Sequence, residues 1–504
     1  MKKLFCLLLG LAVFFVVLLF PESVIDSWEI KATAAITLLM VIWWVTEPIP
    51  IPATALVPLV GFPLLGILSP TDASSAYGDK IIFLFLGGFI IATSMQRWDL
   101  HRRIAINIIK LVGKSPKKLI LGFMIATAFI SMWMSNSATA MMMIPIAIAI
   151  ITTILPNQQI DTEKMSPEER EFSAAIIISI AYAASIGGIA TIIGTPPNGI
   201  FVAQLQALFP DAPTIDFFSW MMFGVPLAVI MIALSWLWLV YVPYRHLPKS
   251  LSHTDEVLDA ELKTLGPMSQ GEKWTLFVFV FTALMWIFST TKEIGGMTIP
   301  GLNEIFPGID DSTIAIFGAL ILFCLPVDVK KGIYTMDWEW AKKIPWGILL
   351  LFGGGICLSK GFIQSGLANR IVQYLSVLDM LPIVIVVLLA TFLISLLTEV
   401  TSNTAIASLM MPIMAITAIS LLVHPYLFMI VASLAASLAF MLPVATPPNA
   451  VAYGTGYISI REMVEAGWIV NLFGVFLITI FMFTLIPWAL GFDPFSLPGW
   501  AVTP

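Results

Sequence analysis

Long apolar blocks separated by short polar stretches run through almost the whole chain. A helix needs about 20 apolar residues to cross a bilayer. By that measure the blocks predict membrane spans at 4–20, 30–46, 53–68, 81–96, 173–208, 217–240, 274–290, 313–327, 346–359, 426–452 and 469–490. Two further blocks, 119–155 and 381–423, are too long for one crossing, and Ser, Asn and Thr interrupt each near its middle. Those side chains offer the backbone alternative hydrogen bonds, so they favour caps and turns over helix interiors. Each block should therefore fold as a helical hairpin that enters and leaves the membrane on one side. The expected fold is an all-α polytopic membrane protein, with these eleven spans plus two re-entrant hairpins.

The polar interruptions match each other. The first holds Ser131 and then Ser135-Asn136-Ser137; the second holds Thr398, Glu399 and Thr401, then Ser402-Asn403-Thr404. Downstream of each, an apolar block contains the same tetrapeptide: Thr195-Pro196-Pro197-Asn198 and Thr446-Pro447-Pro448-Asn449. Proline lacks an N–H and disfavours helix in the residue before it. Two prolines in a row break a helix, free upstream carbonyls and start a half-helix whose N-terminus is partially positive. Phe85-Leu86-Gly87-Gly88 also matches Leu351-Phe352-Gly353-Gly354, and amphipathic Trp98–Leu111 matches Phe362–Leu375. This shared order predicts an internal repeat with interrupted membrane helices. The first amphipathic stretch carries seven basic residues with its flanks and the second two. That asymmetry is expected if the copies are inverted across the membrane.

Composition fixes the environment. Of 504 residues, 59% are hydrophobic and 11% charged, against about 25% charged in soluble proteins. Mean hydropathy is +0.96. The net charge of −6 says nothing about a nucleic-acid partner, and the sequence has no basic stripe or stacking motif that would suit one. Cys6, Cys324 and Cys357 have neither metal-ligand nor disulfide-framework spacing. Met1-Lys2-Lys3 before Leu4–Phe20 has the layout of a signal peptide, but Phe20-Pro21-Glu22 offers no small-residue cleavage site, so the stretch is expected to be the first span. With the N-terminus inside and eleven crossings, all basic residues except Lys31, Lys80, Lys292, Lys360 and Arg370 fall on the inner side. The positive-inside rule is then well obeyed. The expected location is the plasma (inner) membrane, with the N-terminus cytoplasmic and the C-terminus external.

Irregular backbone at membrane depth survives only where protein or a water-filled cavity surrounds it. Two knots and two breaks therefore imply a shared polar cavity. Within 119–155, 174–240 and 371–460 there is no Lys or Arg, and the ionisable groups of consequence are Glu399 and His424. An intramembrane carboxylate is a functional candidate by default. Glu399 can equally be read as a hairpin-tip residue near the surface, bonded to neighbouring amides. Freed carbonyls and Asn and Ser oxygens suit a hard cation such as sodium, and half-helix N-termini suit an anion. A dianion held only by dipoles, hydroxyls and amides needs cations nearby, so the missing Lys and Arg fit coupling to sodium. An intramembrane hydrolase would need a nucleophile–base or metal constellation such as HExxH, which the sequence lacks. A passive channel explains broken-helix repeats less directly.

These residues resemble the divalent anion/sodium symporter family, whose members carry dicarboxylates, citrate or sulfate. The similarity rests on Trp44–Pro52 (WVTEPIPIP), Phe83–Phe89 (FLFLGGF), Trp98–Ala105 (WDLHRRIA), Ser131–Pro145 with its Ser-Asn motif, Gly194–Asn198 (GTPPN), Ser402–Thr404 and Thr446–Asn449. The family pattern is Ser-Asn-Thr in both hairpins; Ser137 keeps the hydroxyl but loses a methyl, which leaves ligand chemistry intact and substrate fit open. The resemblance implies a homodimer working as an elevator in the lipid bilayer. It implies one sodium site at Ser131, Ser135, Asn136 and Gly194 and another at Thr398, Thr401, Asn403 and Ala445. Implied substrate contacts are Asn136, Ser137, Thr195, Asn403, Thr404, Thr446 and Pro447. The implied activity is sodium-coupled import of C4-dicarboxylates such as succinate, malate or fumarate. Alternatives are sodium-independent exchange, or sulfate or citrate transport. The expected division is scaffold at 1–96 and 274–359, and transport body at 119–240 and 381–490. Interfacial helices are expected at 97–118 (cytoplasmic) and 360–380 (external), a cytoplasmic connection at 241–273 and an external tail at 491–504.

Overall fold

The computed structural model describes all residues except 1, 22–26, 114, 155–164, 250, 252–253, 295–296, 368–369, 372–379 and 502–504. Its longer helices are α1 (Lys2–Leu18), α2 (Trp28–Thr46), α3 (Lys80–Arg97), α4 (Leu100–Val112), α5 (Pro116–Ser131), α6 (Asn136–Ile154), α7 (Pro167–Ile189), α8 (Pro196–Leu208) and α9 (Phe217–Tyr241). They continue with α10 (Thr254–Leu265), α11 (Gln270–Ile287), α12 (Asp311–Cys324), α13 (Trp346–Ser365), α14 (Ile383–Thr398), α15 (Asn403–Ser420), α16 (Pro425–Ala435), α17 (Pro447–Gly454) and α18 (Ile460–Met482). Two small antiparallel hairpins, Lys292–Ile294 with Met297–Ile299 and Pro326–Asp328 with Ile333–Tyr334, are the strands among the described residues. Among those residues, eight helices are long and apolar enough to cross a membrane, and further apolar helices of 10–17 residues accompany them.

Both interrupted blocks form helical hairpins, α5–α6 and α14–α15, with turns at 132–135 and 399–402. The expected spans 173–208 and 426–452 are each two helices. Thr195 and Thr446 sit in extended backbone as N-caps, and each Pro-Pro pair opens the following helix. Proline is tolerated there because the first N–H groups of a helix lack intrahelical partners anyway.

Helix α7 is the centre of the molecule. Every residue from Phe172 to Ile189 is buried, as expected of a helix apolar on all sides. It packs on α5, α6, α9 and α17, while α8 packs on α13, α15 and α16. Close approach rests on glycine: a Cβ at Gly187 would lie 2.3 Å from the Ala128 carbonyl oxygen of α5. Ser166 and Glu169 form a reciprocal cap at the start of α7, and Ser269–Glu272 and Ser459–Glu462 do the same for α11 and α18.

One expectation needs adjustment, and another falls partly outside the described residues. The connection 241–273 is more than a polar linker, because it contains α10. Ion pairs Arg102–Glu261 and Lys110–Asp259 tie α10 to the amphipathic α4, and Arg103 reaches Glu272 at 2.6 Å. The second amphipathic stretch, Phe362–Leu375, and the interfacial segment 360–380 fall partly outside the described residues.

Candidate functional site

The first cluster forms where the α5–α6 turn meets the break after α7. Ser131 is fully buried at the end of α5, and its hydroxyl lies 2.8 Å from Asn136 Oδ1 and 2.7 Å from the Ala184 carbonyl oxygen. One hydroxyl has a single proton to donate, so two acceptors and its own lone pairs face one another with too few protons among them. Gly188 gives room for this arrangement, since a Cβ there would lie 2.5 Å from Asn136 Oδ1 and 3.1 Å from Thr195 Cβ. Gly194 is equally confined, with a virtual Cβ 2.6 Å from Gly188 O. Asn198 locks the break by donating to the carbonyls of Gly188 (3.1 Å) and Thr191 (2.7 Å). The Thr191 hydroxyl donates to Met132 O, tying the break to the hairpin turn.

The second cluster repeats this skeleton. The buried Thr398 hydroxyl lies 2.6 Å from Asn403 Oδ1 and 2.8 Å from the Ala436 carbonyl oxygen. Asn449 donates to the carbonyls of Ala439 (3.1 Å) and Leu442 (3.0 Å), the residues ten and seven before it, as with Asn198. Asn449 N–H donates to the Thr446 hydroxyl at 3.3 Å. The two halves also touch: the Ser433 hydroxyl donates to Asn198 Oδ1 at 3.1 Å. Helix α6 packs on α17 and α15 on α8, so each hairpin's second limb meets the other half's post-break helix.

Not every expected residue sits with these clusters in the same way. Ser131, Asn136, Gly194 and Thr195 come together, as do Thr398 and Asn403, with Thr446 and Ala445 at the far end of their break. Ser135 caps α6 by accepting from Ala138 N–H at 3.3 Å. The Thr401 hydroxyl donates back to Leu397 O at 2.6 Å. Ala445 donates its N–H to Leu442 O at 3.2 Å. Ser137 and Thr404 are half-buried in the first turns of α6 and α15, while Pro447 is exposed. The carbonyls of Ala184 and Ala436 belong to the first and the second cluster respectively, and side-chain chemistry could not have marked them. The equal five-residue spacing of Ser131–Asn136 and Thr398–Asn403 was the available signal.

Glu399 departs from the surface reading. It is 2% exposed and does accept from amides, but from those of the distant break. Its oxygens accept from the N–H groups of Phe440 (2.7 Å), Met441 (3.0 Å) and Leu442 (3.0 Å), and from Asn471 Nδ2 at 2.7 Å. A buried carboxylate without donors would cost several kcal/mol; here four donors answer it.

A cavity of about 240 Å³ lies elsewhere, between the α8–α9 connection and residues 289–312, and none of the expected site residues lines it. Lys292 pairs there with Asp216 at 2.6 Å. Burial pushes the Asp216 carboxyl up, but hydrogen bonds from Lys292 and Thr290 outweigh it and hold the group below its ordinary range.

Broken helices, hydroxyl–amide–carbonyl clusters at the breaks and an apolar helical shell define a multi-pass membrane transport protein. The model of the sodium:sulfate symporter transmembrane region matches residues 1–490, so the chain belongs to that family, the divalent anion/sodium symporters. It is 42% identical over 490 residues to the sodium-dependent dicarboxylate transporter SdcS of Staphylococcus saprophyticus, covering 97% of this chain and 92% of that one. The SdcS protein of a Staphylococcus aureus strain is 42% identical over 492 residues with the same coverage. Among solved structures, the Alcanivorax borkumensis YdaH transporter aligns at a TM-score of 0.58 and 14% identity, over 92% of this chain and 99% of that one. Neisseria gonorrhoeae MtrF aligns at 0.57 and 10% identity, over 94% and 96%. These two likenesses concern the fold alone.

Proposed function

We propose that the protein imports C4-dicarboxylates such as succinate, malate and fumarate, coupled to sodium. The observation that carries this reading is the duplicated oxygen cluster, Ser131–Asn136–Ala184 and Thr398–Asn403–Ala436. Each gathers three oxygens around one available proton, an arrangement that a small hard cation satisfies. Ser135 and Gly194 complete the first cation site, and Thr401 and Ala445 the second. Asn136, Ser137, Thr195, Asn403, Thr404, Thr446 and Pro447 contact the dianion. Each Asn faces sodium with its oxygen and the dianion with its N–H groups, so occupancy of one favours the other. The names of the SdcS relatives, sodium-dependent dicarboxylate transporters, support the same substrate pair.

The hairpins are re-entrant from opposite faces and form, with 173–240 and 426–490, a transport body of inverted repeats. It moves as an elevator against a scaffold of 1–96 and 274–359, which pairs two subunits in the membrane. The N-terminus is cytoplasmic and the C-terminus external. Purified protein in liposomes tests the function: radiolabelled succinate uptake should require an inward sodium gradient. Uptake that ignores sodium but needs internal dicarboxylate would replace symport by exchange.

A further inference from the structure

We propose that the face made by the start of α5 and the end of α9 binds an anionic membrane phospholipid, such as phosphatidylglycerol. Its phosphate sits at Lys117 and Lys118 and an acyl chain lies along the two helices. The inference stands apart from the sodium and dicarboxylate reading. Helices α5 and α9 pack on each other. The hairpin turn after α5 meets the start of α9, where Trp133 stacks on Phe217. The start of α5 meets the end of α9, where Trp236 Nε1 donates to the Lys117 carbonyl oxygen at 2.9 Å. The two helices therefore run antiparallel.

Lys117 Nζ lies 3.8 Å from the centre of the Tyr241 ring. Such a contact holds an ammonium in place without neutralising it. Arg102, Arg103 and Lys110 on the neighbouring α4 are all ion-paired. Among the described residues, neither Lys117 nor Lys118 has a carboxylate partner. Pro116 opens α5 and the Ser115 side chain does not cap it. The backbone N–H groups of the first turn thus add to the positive field of the two ammonium groups.

Apolar surface continues from this charge. Lys118, Ile125 and Phe129 are exposed on α5, and Ile230, Leu237 and Tyr241 on α9. Each set is spaced i, i+7, i+11, which keeps it on one face of its helix. Eleven residues at a rise of 1.5 Å cover about 16 Å, close to one leaflet's half of a hydrocarbon core of about 30 Å. A phosphate at the lysines therefore lays its chain over Ile125, Phe129 and Leu237, and the lipid braces the base of the first hairpin against α9. A choline headgroup brings its own positive charge to the lysines, so an anionic headgroup is preferred.

Native mass spectrometry of the purified protein with phosphatidylglycerol or phosphatidylcholine of identical chains tests this, together with melting temperatures in the same lipid–detergent micelles. Phosphatidylglycerol should give the more persistent adduct and the larger rise in melting temperature; equal behaviour of the two lipids overturns the proposal. Lys117→Gln/Lys118→Gln should weaken phosphatidylglycerol binding about 25-fold, roughly fivefold per lysine. If that variant does not fold, Lys118→Gln alone should still weaken binding roughly fivefold, and unchanged binding in either variant overturns the proposal. Lys330→Gln/Lys331→Gln removes the same charge from another exposed turn and should leave the preference intact; an equal loss there would mean general surface attraction and overturn it. Inorganic phosphate at millimolar concentration should not raise the melting temperature. Protection equal to that from phosphatidylglycerol would make a free anion the occupant and overturn the lipid site. Lysine variants that lose a second subunit from the mass spectrum while keeping their lipid adducts would show that another copy of the chain covers this face, and would overturn it as well.

Discussion

The break between α7 and α8 covers residues 190–195, whereas that between α16 and α17 covers 436–446. The first is sealed. Residues 191–195 are all buried, and Trp133 at the hairpin turn stacks on Phe217 and meets Phe279 edge-on at 4.9 Å. The second is longer and more open, with Val400 63% and Val444 78% exposed. Yet both keep the same hydroxyl–amide–carbonyl triad and the same Asn lock at ten and seven residues. The hydrogen-bond geometry is thus held constant while its support varies. Glycine and a hydroxyl brace the short break; a carboxylate braces the long one.

Removing the shared part should have the largest effect. Asn136→Ala and Asn403→Ala should each reduce succinate uptake by about 10- to 100-fold, the scale of a lost hydrogen bond to a charged partner. If one variant transported normally, a single half would carry the function. Next come the glycines that distinguish the halves. Positions 188 and 194 are glycine where the second half has Ala439 and Ala445. Gly188→Ala places a Cβ 2.5 Å from Asn136 Oδ1. At about 1–3 kcal/mol for overpacking, uptake should fall roughly 5- to 100-fold, while Ala439→Gly should cost less. A neutral Gly188→Ala would mean that the tight break is not needed to place Asn136.

The smallest effect concerns how the broken helices begin. Helix α7 starts with the Ser166–Glu169 cap, whereas α16 starts with His424, packed among Tyr426, Phe492 and Trp500. Burial pushes the imidazole down to about 4 from an ordinary 6.5. Its neutral form is the one that folds, so its contribution to stability is full above pH 6.5 and is lost as pH falls toward 4. The melting temperature should decline across that window, and His424→Gln should make the decline shallower. An identical decline in the variant would show that other groups cause it.

Much of this comparison was legible in the residues. The knots, the Pro-Pro pairs and their spacing located both hairpins and both breaks, because proline and small polar side chains act through local backbone chemistry. The carbonyls of Ala184 and Ala436 were not legible, since any residue supplies a carbonyl and only the fold selects which ones converge. Glu399 was singled out as a lone carboxylate, but its partners lie 41 to 72 positions away and emerge only from tertiary packing. The five-residue difference in break length was hidden for the same reason: the amides of 440–442 look apolar in sequence until a carboxylate claims them.

The central claim is that Asn136 and Asn403 link sodium to the dianion, and such linkage is reciprocal. Titrating purified protein with succinate at several sodium concentrations, and with sodium at several succinate concentrations, tests it most directly. The account predicts that each ligand tightens the other by the same factor. It also predicts that Asn136→Asp and Asn403→Asp, which keep an oxygen but lose the N–H donors and add a negative charge, lose succinate binding more than sodium binding. Succinate affinity independent of sodium, or normal succinate binding by both Asp variants, would contradict it.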